Sequence, residues 1–185
     1  MDAGAPQPML HTERLVLRPF TPEDAPEVQR LAGVREVADT TLLVPHPYPD
    51  GAATAWIATH AAGWAARRSI TYAITERAAG ALVGAIGLEV AAAHARGELG
   101  YWVALPCWGR GYATEAAREL LAFGFDALGL NRIQAQYMTR NPASGRVLEK
   151  LGMRREGVHR QHVRRWDRFE DVAVCALLRA DRPRG

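Results

Sequence analysis

Apolar and polar positions divide the chain into short alternating runs and longer helical ones. Arg14-Leu-Val-Leu-Arg18 alternates in the manner of a strand. Thr21-Pro-Glu-Asp24 supplies an N-cap, a proline at the first helical position and first-turn acids, which predicts a helix to about Ala32. After the proline-rich loop His46-Pro-Tyr-Pro49, Asp50 is placed to cap a second helix running to about Ala66. Ile70 to Thr75, Leu82 to Val90 and Glu98 to Ala104 read as three consecutive strands, with hairpin turns expected at Gly80 and Gly97. The strongest helix is Tyr112 to Leu128, where Ala113, Ala117, Leu120, Leu121, Gly124 and Leu128 recur at helical spacing before a terminating Gly129. A strand over Ile133 to Tyr137, a short helix from Pro142 to Leu151 ended by Gly152, and two last strands, Met153 to His159 and Phe169 to Leu178, complete the pattern. The order predicts an α/β fold of one domain over 1–185, with its core at about 10–180 and one mixed sheet flanked by helices.

Composition narrows the classes. At 185 residues, 48% hydrophobic and 23% charged, the chain can bury a substantial core. No apolar run approaches the roughly 20 residues of a membrane span, so no membrane association is expected. Met1 to Gln7 carries Asp2 where a secretory leader is basic, and no apolar stretch follows it. Cys107 and Cys175 stand far apart with no C-x-x-C pattern, which predicts reduced thiols of a cytoplasmic protein rather than a disulfide framework or zinc site. The six His are scattered, and His159 with His162 lacks a third ligand, so no metal is expected. Of the 23 basic residues only Lys150 is lysine, and many arginines fall in the last third, a skew toward anionic partners.

Candidate chemistry centres on Glu98-Leu-Gly-Tyr-Trp-Val-Ala-Leu-Pro-Cys-Trp-Gly-Arg-Gly-Tyr-Ala-Thr-Glu-Ala117, which reads as strand, glycine-containing turn and long helix. Gly109 and Gly111 would let backbone N–H groups approach phosphate oxygens, the following helix N-terminus adds unpaired donors, and Arg110 adds a charge. Two glycines before a helix often make only a turn. The third glycine and later acid of a dinucleotide fingerprint are absent, as is the Gly-Lys-Ser/Thr of a P-loop.

Taken with Asn141-Pro-Ala-Ser144 and Val147-Leu-Glu-Lys-Leu-Gly-Met153, this stretch resembles the GNAT superfamily of N-acetyltransferases, over nearly the whole chain. Gly-Tyr-Trp102, Trp-Gly-Arg-Gly-Tyr-Ala-Thr-Glu-Ala117, Asn141 with Ser144, and Glu156-Gly157 followed by Arg160 are most similar to the branch of ribosomal-protein N-terminal acetyltransferases. The resemblance implies a GNAT-like fold: a mixed, mostly antiparallel sheet of about six to seven strands, helices on both faces, and a splayed strand pair that takes the cofactor. It implies acetyl-CoA as cosubstrate, a primary amine as acceptor, and a homodimer. Trp102, Val103 and Ala104 would then pair with pantetheine, and Gly109, Arg110, Gly111, Tyr112, Ala113 and Thr114 would hold the pyrophosphate. Two departures stand out. Trp108 occupies a position where the superfamily commonly has Gln or Arg, and Leu148 one where many members have the tyrosine that protonates the leaving thiolate. The nearer branch offers Ser144 for that role.

Acyl transfer to an amine requires a base and a proton for the departing sulfur. Glu98 is the candidate base, at the start of the thioester-carrying strand and on one face with Gly100 and Trp102; the alternative is a solvated strand-end carboxylate. Ser144 reads as the acid or as a local helix cap, and Asn141 as a partner of the pantetheine amide or the opening of a turn. Glu115 fits a dipole-favoured first-turn acid. Cys107 could form an acetyl-cysteine, but no His is placed by sequence to activate it, and direct transfer in a ternary complex is expected. The Arg154 to Arg168 segment reads as a solvated hairpin or as a contact with ribosomal RNA or an acidic peptide. The acceptor could be a protein N-terminus or a small-molecule amine such as a polyamine or aminoglycoside. A rival class is a catalytically weak acetyl-CoA- and RNA-associated binding protein, although no aromatic RNA-stacking signature is present.

Overall fold

The computed structural model describes residues 5–182; Asp2, read above, lies outside them. Eight strands form one sheet in the order β1-β2-β3-β4-β5-β6-β8-β7, somewhat larger than the sequence pattern suggested. The strands are β1 (Leu10–His11), β2 (Leu15–Arg18), β3 (Ser69–Glu76), β4 (Leu82–Ala91), β5 (Arg96–Val103), β6 (Arg132–Met138), β7 (Arg154–Arg165) and β8 (Arg168–Leu178). All neighbours are antiparallel except β5 and β6. That parallel pair is in register from Arg96↔Arg132 to Leu99↔Ala135 and no further, so the two strands part at Gly100, which is the expected splay.

Helices cover both faces. On one, α5 (Tyr112–Asp126) buries Ala116, Ala117, Leu120, Leu121 and Phe125 against Leu15, Leu17, Ile86, Leu88, Leu99 and Ile133, and α6 (Pro142–Lys150) adds Leu148. On the other, α1 (Ala25–Ala32), α2 (Arg35–Thr40) and α3 (Ala52–Ala58) pack Val28, Leu31, Val37 and Ile57 onto Ala73, Ala85 and Trp102. Ahead of α1, the Asp24 carboxylate accepts the Thr21 backbone N–H at 2.8 Å and both Arg18 guanidinium nitrogens at 2.7 Å. These bonds fix how the helix enters.

Several elements depart from the sequence pattern. The helix expected from Asp50 to Ala66 is two, α3 and α4 (His60–Ala65), separated at Thr59, whose hydroxyl donates to the Trp56 carbonyl at 2.7 Å and tightens the turn. Its N-cap is Gly51, in the left-handed region at φ 76°, while Asp50 accepts from Gln29 Nε2 at 3.1 Å. The β4–β5 turn lies at Ala92 to Ala95 rather than at Gly97. Gly97 sits inside β5, where a Cβ would come within 2.9 Å of Leu130 Cδ1, so its lack of a side chain serves close packing. Helix α2 and strand β1 are too short to leave a periodic trace, and β7 runs six residues past its predicted end at His159, to Arg165.

Candidate active site

Where β5 and β6 part, a cleft opens between β5, the start of α5 and the start of α6. The turn before α5 holds Gly109 at φ 76° and Gly111 at φ 81°, conformations in which a side chain is strained. A Cβ at Gly109 would meet nothing within 4 Å, and Gly111 caps α5 without a side-chain hydrogen bond, so first-turn N–H groups of the helix face the cleft. Glu115 does not neutralise that end: its carboxylate accepts from Thr12 Oγ1 at 2.6 Å, Arg14 N at 2.9 Å and Arg14 Nε at 2.7 Å, which locks the β1–β2 turn to α5. These contacts hold its carboxyl below the usual range, against the desolvation that raises it. The cleft, a cavity of about 300 Å³, is therefore lined at one end by an anion-ready backbone.

Of the residues expected to hold the cofactor, Trp102, Val103, Gly109, Gly111, Tyr112, Ala113, Thr114, Asn141 and Ser144 all line this cleft. Ala104 is buried beneath it, its N–H donating to the Val83 carbonyl at 2.8 Å. Arg110 turns toward Glu76, 3.9 Å away. Two other cations reach the cleft instead, Arg146 and Lys150, one helical turn apart on α6. Their i, i+4 spacing was legible, but nothing in the sequence tied that helix face to the turn at Gly109. Trp108 Nε1 donates to the Val103 carbonyl at 2.7 Å, so this residue braces the strand-to-turn connection at the position where the superfamily commonly has Gln or Arg.

Behind the splay lies a second cavity of about 660 Å³ that adjoins the first; Tyr101, Trp102, Thr40, Thr41 and Ser144 line both. Its floor is the sheet face bearing Glu98, Gly100 and Trp102, the alternation expected for β5. Gly100 pairs with Gly87 in register, and a Cβ at Gly100 would meet open space, so bare backbone lies between Trp102 and the carboxylates. Glu98 stands opposite Glu89 in register. The Glu98 carboxylate accepts from Gln134 Nε2 at 2.9 Å, and Gln134 Oε1 in turn accepts from Arg132 Nε at 3.3 Å, which orients the amide. Arg132 is fixed by Glu156 through bonds of 2.6 and 2.5 Å. The walls are mostly apolar, from Leu42, Leu43, Val44, Tyr48, Trp56 and Met138.

Asn141 is the cap of α6: its Oδ1 accepts the Ser144 N–H at 3.2 Å, and its Nδ2 donates to the Thr40 carbonyl at 3.3 Å. The Ser144 hydroxyl is left to pair with the Tyr101 phenol at 2.8 Å. Burial pushes that phenol up to about 12, so it stays protonated at ordinary pH. Leu148 is fully enclosed in the core and offers no proton. Cys107 lines the same cleft, and burial raises its thiol, with the Arg110 charge opposing. Among the described residues no group of three or more His, Cys, Asp or Glu is placed to hold a metal ion, and no helix is long and apolar enough to cross a membrane.

A mixed sheet that splays beside a glycine turn and helix N-terminus defines a coenzyme A-dependent acyltransferase, and the comparisons specify it. The chain matches the acetyltransferase (GNAT) domain over residues 14–154 and belongs to that family. It is 36% identical to an uncharacterized N-acetyltransferase, YoaA, of Bacillus subtilis, over 93% of this chain and 97% of that protein. Its structure is similar to that of Mycobacterium smegmatis RimJ in complex with CoA-disulfide, with TM-score 0.82 and 25% identity over 92% of this chain and 84% of the other. The fold is also that of the ribosomal-protein-S5-alanine acetyltransferase of Vibrio fischeri, with TM-score 0.83 and 18% identity over 96% and 100% of the two chains. The protein is an acetyl-CoA-dependent N-acetyltransferase. The open backbone at Gly109 to Thr114 fits the pyrophosphate, and Arg146 and Lys150 add charge that suits the phosphates.

Proposed function

We propose that the chain, acting as one domain, transfers acetyl directly from acetyl-CoA to a primary amine of low pKa carried on an apolar body, an α-amine at a protein N-terminus. The observation that carries this reading is the placement of Glu98 on the floor of an apolar cavity that adjoins the cleft at Gly109 to Thr114, with its carboxylate oriented by Gln134. Glu98 serves as base through a water, Ser144 returns a proton to sulfur, and Trp102, Val103 and the Gly109 to Thr114 turn hold acetyl-CoA. Glu89 and Glu98 are the acids of the cavity, which suits one ammonium and not the several charges of an aminoglycoside or polyamine. The likeness to RimJ and to the ribosomal-protein-S5-alanine acetyltransferase supports the choice of a protein N-terminus. The same cavity has room for a small apolar amine, and a parallel turnover screen of N-terminal peptides, polyamines and aromatic amines separates the two.

Proton removal sets the expected behaviour. An α-amine has a pKa of about 7.7 to 8.0 and a lysine amine about 10.4, so near neutral pH the second costs about 4 kcal/mol to deprotonate and the first under about 1. Glu98→Gln is therefore expected to lower turnover about 10²-fold or more for lysine-like amines and clearly less for α-amines, with recovery as pH rises. A Glu98→Gln enzyme with unchanged turnover from pH 6 to 9 on its best acceptor would remove Glu98 from the chemistry.

A further inference from the structure

We infer that Tyr101 is a positioning residue for the transfer, donating its phenol proton to Ser144 Oγ so that the serine hydroxyl proton is aimed at the departing sulfur, and refilling the serine as that proton leaves. The inference rests on the reading of Ser144 as the acid. Four observations carry it. Tyr101 lies two residues past the last β5–β6 pair, Leu99↔Ala135, in the opening where the two cavities meet. Its Oη is 2.8 Å from Ser144 Oγ. Capping of α6 falls to the Asn141 side chain, which leaves the serine hydroxyl available for chemistry. The other phenol lining the cofactor cleft, Tyr112, donates to Glu76 Oε1 at 2.8 Å and is committed there.

The direction of the bond follows from chemistry. A phenol is the stronger donor and an aliphatic hydroxyl the better acceptor, and Ser144 Oγ is the acceptor in reach of Tyr101. A serine acting alone would be left as an alkoxide, which is costly in a desolvated cleft. With Tyr101 behind it, Ser144 gives its proton to sulfur as the carbon–sulfur bond breaks with its electron pair on sulfur, and Ser144 Oγ takes the phenol proton. The charge then rests on the Tyr101 oxygen. Glu98 holds the proton taken from the amine. Once the cleft opens to water, the phenolate recovers a proton from solvent and Glu98 releases one to it, so protons balance and water is the only further reactant.

The test compares Tyr101→Phe, Ser144→Ala and the double variant of the full chain. Tyr101→Phe is expected to lower kcat about tenfold with the KM for acetyl-CoA and the affinity for coenzyme A, by calorimetry, within about twofold; Ser144→Ala is expected to lower kcat about 10²-fold. The double variant should be no slower than Ser144→Ala, because both changes remove one relay. In the free protein, Ser144→Ala should shift the Tyr101 side-chain Cζ resonance, assigned by its loss in Tyr101→Phe, a readout independent of turnover. Unchanged kcat in Tyr101→Phe beside a slow Ser144→Ala overturns the relay alone, as does a double variant slower than Ser144→Ala by the whole Tyr101→Phe factor. A fully active Ser144→Ala overturns the reading of Ser144 and the relay with it. Should Tyr101→Phe fail to fold, an unmoved Tyr resonance set in Ser144→Ala still rejects the pair.

Discussion

At the scale of single residues, the site depends on backbone that only small side chains permit. Gly111 holds φ 81° as the cap of α5, and an added Cβ would lie 3.5 Å from the Arg14 guanidinium. A β-branched residue there is strained by about 1–3 kcal/mol and crowds the helix end proposed to take the phosphates. Gly111→Val is accordingly expected to lower the melting temperature and, in the fraction that remains folded, to weaken coenzyme A binding about tenfold or more by calorimetry. Full affinity in a folded variant would move the pyrophosphate elsewhere. A second residue governs acid sensitivity. His60 packs edge-on to Trp56 with centroids 4.5 Å apart and beside Phe20 at 5.4 Å, and neither ring nitrogen has a hydrogen-bond partner among the described residues. Burial lowers its pKa to about 4. Unfolded, the same imidazole titrates near about 6.5, so as pH falls below that value the unfolded chain gains a proton the folded one refuses. Stability is full above pH 6.5 and is lost on descending to about 4, by of the order of 1–2 kcal/mol once the ring's partial exposure is allowed for. Urea unfolding at pH 7.5 and 4.5 should show a smaller loss for His60→Leu than for the parent, and equal losses would clear His60 of that part.

At the scale of elements, the loop that walls the second cavity, the proposed acceptor site, is held by the tip of the β7–β8 hairpin. Arg165 donates to the carbonyls of Ala38 and Val44 at 2.5 and 2.6 Å and lies 4.3 Å over the Trp166 ring. Trp166 Nε1 donates to Asp39 Oδ1 at 2.8 Å, and Arg140 bridges Asp39 to Glu170 through bonds of 3.0 and 2.8 Å. The Trp166 bond and the Arg140 charge hold the Asp39 carboxyl below its usual range. Arg165→Ala strips partners from two carbonyls, at a cost of about 1–3 kcal/mol. The expected result is an acceptor KM raised about tenfold and faster proteolysis between Thr40 and Val44, with the acetyl-CoA KM changed less. An unchanged acceptor KM would make the latch purely structural. This arrangement also marks what the sequence could reveal. Strands β2 to β6 and helices α5 and α6 were legible because their apolar positions repeat, and the turn at Gly109 to Gly111 because two glycines stand before a helix. The acceptor wall was not. Helix α2 has only Val37 and Ala38 to bury, and its position is set by arginines more than a hundred residues later, a pairing that no local pattern carries. The Tyr101–Ser144 contact was hidden for the same reason, since each residue is ordinary in its own element and 43 positions separate them.

At the scale of the whole molecule, charge is distributed in a way that bears on recruitment. Strand β7 ends the sheet, and residues 154–162 along it are all exposed. An edge of this kind invites another strand unless charges block it. Arg154, Arg155, Arg160 and Arg164 do so, while Arg165 is spent on the acceptor loop and Arg168 lies 3.7 Å from Glu170, so the anion-facing set is smaller than the six arginines of the sequence suggest. Arg154 is partly offset by Asp181 at 3.7 Å, and Arg164 lies 5.9 Å from the centre of the Phe169 ring. Arg155 and Arg160 are then the exposed charges best able to meet a polyanion. Such exposed charges are screened over about 10 Å at 0.1 M salt. If the edge recruits an acceptor embedded in an anionic carrier such as a ribosomal particle, kcat/KM for that acceptor should fall more steeply with salt than for the isolated N-terminal peptide. Replacing Arg155 and Arg160 by Gln should flatten the steeper dependence toward the other while leaving turnover of the isolated peptide intact. Equal salt dependence for both acceptors in the parent enzyme would assign these arginines to keeping the edge strand apart from other chains.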